Sequence, residues 1–76
     1  MQYLGEMVNR ERARQKMTLK NLADKSGLAI SSLCDIEKGR FVPSLESLYK
    51  IADALGVPVT LFLPESYDNN VKSVTN

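Results

Sequence analysis

The feature that most constrains this sequence is its period. Apolar residues recur at three- and four-residue intervals from Leu4 onward and nowhere alternate with polar ones over the length of a half-buried strand. Glycine or proline interrupts this helical pattern at Gly27, Gly39, Pro43, Gly56, Pro58 and Pro64, so the helices must be short and sharply turned. Such a chain of 76 residues has room for one small domain. A domain of this size hides only about 60% of its unfolded surface, so a partner subunit would help it. The one cysteine, Cys34, can form neither an internal disulfide nor a Cys-based metal site, and histidine is absent.

The same absences exclude most chemistry. Without histidine there is no imidazole base and no Ser-His or Cys-His nucleophile pair. No glycine-rich phosphate-binding pattern is present. The chain therefore reads as a non-enzyme with no cofactor and no metal. It has no apolar run near the ~18 residues of a membrane span. Its opening residues carry Glu6, Arg10, Glu11, Arg12 and Arg14, unlike a secretory signal. The expected compartment is the cytoplasm, in association with the nucleoid.

The net charge of +1 hides an asymmetry. Residues 1–40 hold eight basic against five acidic side chains, and residues 41–76 hold two against four. One face for a polyanion and another for a different partner would produce this split.

The spacing predicts a first helix over Tyr3–Gln15, with Leu4, Val8 and Arg12 stacked. A second runs from its N-cap Thr18 to Ser26, burying Leu19, Leu22 and Ala23, and Gly27 ends it. A third covers Ile30–Lys38 and closes at Gly39. Ser44 caps a fourth, whose apolar face is Leu45, Leu48, Ile51, Ala52 and Leu55, with Gly56 after it. A short fifth spans Pro58–Leu63. These place one domain over residues 1–65, with a polar, flexible tail at 66–76.

The informative stretch is Thr18 to Gly39, where two short helices meet across a turn containing Gly27. That is the general form of a helix-turn-helix. Ala23 is small where the helices must cross, and Leu33 and Ile36 pin the second helix to the core. Glu37 shares their inward face, and an inward carboxylate needs a partner. Arg12, one turn beyond Val8, is that partner, so the pair reads as a structural clamp. The opposite face carries Ile30, Ser31, Cys34, Asp35 and Lys38. It is short-chained, as a helix entering a major groove requires.

These residues resemble the Cro/C1-type, or XRE-family, transcriptional regulators. The likeness runs from Leu4 to Phe62. Its most specific pieces are Arg12, Leu22-Ala23, Gly27, Ile36-Glu37-Lys38-Gly39, Pro43-Ser44-Leu45, Ile51-Ala52 and Leu55-Gly56-Val57. The resemblance implies an all-α, five-helix bundle of the lambda-repressor-like type. It also implies a homodimer on the double-stranded DNA of a palindromic operator, with the third helix reading bases and Arg12–Glu37 as the family's ion pair. Four positions depart from the usual pattern. Glu11 replaces a usual apolar residue, Leu19 stands where Gln often holds a phosphate, Ala29 where Ser or Thr often caps the third helix, and Asp35 where Gln or Arg often reads a base.

The base-reading candidates are Ile30, Ser31, Cys34 and Asp35. Ile30 is a thymine-methyl contact or an exposed helix residue at an interface. Ser31 is a donor to DNA or the N-cap of a shifted helix. Asp35 accepts from cytosine N4 or pairs with Lys38. Cys34 is a small groove-facing side chain or a redox-active thiol. The phosphate candidates are Thr18, Lys20, Ser32, Lys38 and Arg40, which would fix register without reading sequence. Val57, Val59, Leu61, Phe62 and Leu63 are too many apolar residues for a short helix to bury. Val59, Phe62 and Leu63 are therefore expected at a dimer interface, with two reading helices about 34 Å apart. The competing expectation is an antitoxin or adaptor that uses the same fold to hold a protein. The modest net charge, Leu19 and Asp35 point that way.

Overall fold

The structure is a computed structural model and describes residues 2–62. Four α-helices follow in order: α1 (Gln2–Arg14), α2 (Leu19–Ser26), α3 (Ile30–Glu37) and α4 (Leu45–Leu55), then one 3₁₀ turn, Val59–Phe62. The expected fifth helix is this 3₁₀ turn. Leu61 N bonds Pro58 O three residues back at 3.0 Å, and the β-branched pair Val59-Thr60 gives little reason to extend it. Leu63 and the expected tail lie outside the described residues.

The helix limits follow from local chemistry. Thr18 and Asn21 form a reciprocal capping box at the start of α2, and the Ser44 hydroxyl accepts from Ser47 N at the start of α4. Gly56 closes α4 at φ 71°, a backbone that side chains resist. Val57 N then bonds Ala52 O at 3.0 Å. Helix α1 ends in the same way on a non-glycine: Lys16 adopts φ 57°, and Met17 N bonds Arg12 O at 3.0 Å. Helix α3 stops at Glu37, one residue short of expectation, with Lys38 as its C-cap.

The core is Leu4, Val8, Leu22, Leu33, Ile36, Leu48, Ile51, Ala52, Leu55 and Phe62. Helix α1 packs on α3 and on the 3₁₀ turn, while α2 packs on both α3 and α4. Phe62 is the largest fully buried side chain among the described residues, at 0% exposure, and hiding it contributes about 1.5–3 kcal/mol. The dimer-interface role expected of Phe62 is therefore corrected: the ring closes this protomer's own core and is not available to a partner. Val59 is half-buried and packs against the same core.

Candidate nucleic-acid interface

Helix α3 is held by one face. Leu33 and Ile36 are fully buried, and Glu37 adds an ionic anchor beside them. Arg12 Nε donates to Glu37 Oε2 at 2.7 Å, and Arg12 Nη2 to Oε1 at 3.0 Å. Its remaining nitrogen, Nη1, donates to Met17 O at 2.8 Å. One side chain thereby ties α1 to the end of α3 and to the turn before α2. The Glu37 bonds hold the Arg12 guanidinium above its already high ordinary value, so the clamp stays charged at any alkaline pH the fold survives. A third donor, Asn9 Nδ2, reaches Glu37 Oε1 at 2.9 Å. No local pattern in the sequence marks Asn9.

The other face of α3 is turned outward. Ile30 is 48% exposed, Ser31 is exposed, and Ser32, Cys34 and Asp35 are half-buried. The alternatives left open by the sequence now narrow. The helix begins at Ile30 with Ala29 as an N-cap that makes no side-chain bond. Ser31 therefore sits in the first turn rather than capping a shifted helix. No ion pair joins Asp35 to Lys38 among the described residues, so the Asp35 carboxylate is not neutralised by that neighbour.

Cations surround α3 without lying on it. Lys20 is the second residue of α2, Lys38 caps α3 and Arg40 follows, all three exposed. Thr18 sits with them, but its hydroxyl hydrogen goes to Asn21 Oδ1 at 2.7 Å while its oxygen accepts from Asn21 N at 3.0 Å. A hydroxyl has one hydrogen, so as folded Thr18 serves the cap rather than a phosphate. Away from this face, Glu11 is buried on α1 against Arg14 and Gln15, and Gln15 Nε2 also donates to Leu55 O at 2.8 Å. The Arg14 and Gln15 bonds hold the Glu11 carboxyl below its usual value.

Two short helices, α2 and α3, are joined across a turn at Gly27, and residues 8–62 match the helix-turn-helix family model. The chain belongs to the Cro/C1-type helix-turn-helix family. Among its relatives is the immunity repressor protein of Bacillus phage phi105, 39% identical over 62 residues, which are 82% of this chain and 43% of that one. The transcriptional regulator ClgR of Mycobacterium tuberculosis is 33% identical over 60 residues, 79% of this chain and 54% of that one. The chain thus spans about half the length of these two relatives. Among solved structures, the N-terminal DNA-binding domain of SinR from Bacillus subtilis superposes with a TM-score of 0.79 at 32% identity, covering 86% of this chain and 96% of that one. The restriction-modification controller protein C.AhdI of Aeromonas hydrophila gives 0.80 at 26% identity, covering 82% and 94%. No described helix of this Cro/C1-type chain is long and apolar enough to cross a membrane.

Proposed function

We propose that the chain is a sequence-specific DNA-binding regulator, acting as a repressor, that lays α3 in the major groove of a palindromic operator as a homodimer. The observation that carries this reading is the arrangement of α3. Its inner face is fixed by Leu33, Ile36 and the Arg12–Glu37 clamp, and its outer face offers Ile30, Ser31, Cys34 and Asp35 between exposed Lys20, Lys38 and Arg40. The relatives named as repressor and regulator support it. The second copy is assigned to the exposed apolar side chains that follow α3 in the chain, namely Phe41, Val42, Leu45 and Tyr49, each 49–56% exposed. They begin directly after Arg40, so a two-fold there joins two reading helices at their trailing ends.

The test is selection from random duplex DNA, followed by titration at two salt concentrations. Ile30→Ala and Ser31→Ala should change the preferred bases at particular half-site positions, each at about 1–3 kcal/mol against the best sequence. Lys38→Ala and Arg40→Ala should weaken all sequences alike. Three cations per protomer give a log–log salt slope of about −5 for the dimer, and either substitution reduces it by about 2. If none of these variants changes DNA affinity, α3 is not a reading head and the antitoxin or adaptor reading takes its place.

A further inference from the structure

Helix α1 touches α3 at a point that the ion pair does not explain. A Cβ built on Gly5 would lie 2.4 Å from Ile36 O and 2.7 Å from Glu37 O, both backbone atoms of the last turn of α3. Backbone cannot rotate out of the way as a flexible side chain can. One turn further along α1, Asn9 Nδ2 holds Glu37 Oε1 at 2.9 Å. Gly5 and Asn9 thus lie on one face of α1, the first setting how close α3 comes and the second holding it there. The outward face of α3 begins on the same two-turn helix, so a shift of its last turn tilts Asp35 and Cys34 with it.

We propose that Gly5 and Asn9 are positioning residues for α3, which makes α1 a determinant of which base pairs are read although it lies behind the reading helix. This rests on the regulator reading. An alanine at position 5 must drive the end of α3 outward by about 1 Å to restore ordinary contact, and hydrogen bonds to base edges tolerate about half of that. Lys20 lies on α2 and keeps its place, while Lys38 and Arg40, whose backbones bond the last turn of α3, move with it but have long flexible side chains that can still reach a phosphate. Discrimination should therefore fall while general DNA binding persists.

The experiment selects a preferred sequence with the unaltered chain. It then measures the ratio of affinities for that sequence and for unrelated duplex DNA in Gly5→Ala and Asn9→Ala. Gly56→Ala is the control. Its added Cβ meets nothing within 4 Å and its φ is +71°, so it costs stability without pushing on α3. Gly5→Ala should lower the ratio on the order of tenfold or more, with an unchanged salt slope for unrelated DNA and shifted backbone amide resonances at residues 35–38. Asn9→Ala should lower it several-fold and decides the matter alone if Gly5→Ala does not fold. Gly56→Ala should leave the ratio unchanged. The inference is overturned if both test variants keep the ratio within twofold, or if Gly56→Ala lowers it as much, since loss of stability would then suffice. A chain that enriches no sequence at all overturns the regulator reading itself, and this inference with it.

Discussion

Replacing Arg12 with alanine removes three donors at once, two from Glu37 and one from Met17 O. Among the described residues Glu37 is left with Asn9 as its only partner, in a site where its side chain is 8% exposed. Losing one member of a buried ion pair costs about 3–5 kcal/mol, because the other charge stays desolvated. Arg12 retains 16% exposure, so water can reach part of the gap and the expected cost is near the lower end, ~3 kcal/mol. A chain of this length commands roughly 4–11 kcal/mol in total, so Arg12→Ala should lower the melting temperature by more than about 10 °C. Glu37→Ala should cost less, ~2 kcal/mol, because the freed guanidinium keeps Met17 O and can turn toward solvent. Urea denaturation of both single variants and the double variant closes a thermodynamic cycle, with an expected coupling of about 2–3 kcal/mol. A coupling below ~0.5 kcal/mol would refute the clamp. Each side chain would then act by packing alone.

Three further outcomes are expected. The Glu11 carboxyl has its pKa lowered by Arg14 first and Gln15 second, so its stabilisation is complete above the ordinary value of 4.5 and is lost as pH falls through the folded value. Glu11→Gln should flatten the acid limb of the stability profile, and parallel profiles from pH 6 to 3 would contradict this. Ala29 has N-cap dihedrals of φ −68° and ψ 141° but no capping bond, so Ala29→Ser should stabilise the domain by about 0.5–1 kcal/mol, read as a rise in melting temperature. Leu45→Lys or Tyr49→Lys should shift the sedimentation of the proposed dimer toward monomer without lowering the melting temperature of the monomer. An unchanged dimer would move the interface elsewhere.

What the sequence made legible was local or obligatory. Thr18, Ser44, Gly27 and Gly56 act within one turn of themselves, so α2 and α4 begin and end where those residues place them. The Arg12–Glu37 contact was legible because an inward carboxylate on α3 must be met, and α1 offered one inward cation. The misreadings share a different cause. Counting apolar residues from Val57 to Leu63 predicts surplus surface, but no count shows that a 3₁₀ turn can tuck Phe62 under α1 and α4. Asn9 bonds a residue 28 positions away, and Gly5 matters only through the backbone it allows near. Glu11, which replaces a usual apolar residue of the family, is buried and partnered by its own helix through Arg14 and Gln15.

On the proposed reading, affinity and discrimination reside on separate residues. Helix α3 itself carries no cation, since Lys38 lies at its C-cap, and the phosphate-facing charges come from α2, that cap and Arg40. Salt-sensitive attraction is therefore modest, in keeping with a net charge of +1. Asp35 works in the same direction. A carboxylate on the groove face repels every phosphate backbone but is compensated only where a cytosine N4 amino group stands opposite. Its cost falls mainly on the wrong sequences. In a cell roughly 10⁶–10⁹ unrelated sites compete with each operator, so weakening all of them can favour occupancy as much as tightening the operator does. Asp35→Asn should then bind unrelated DNA more tightly and discriminate less. Equal tightening on operator and unrelated DNA would show that the carboxylate repels phosphate and reads no base.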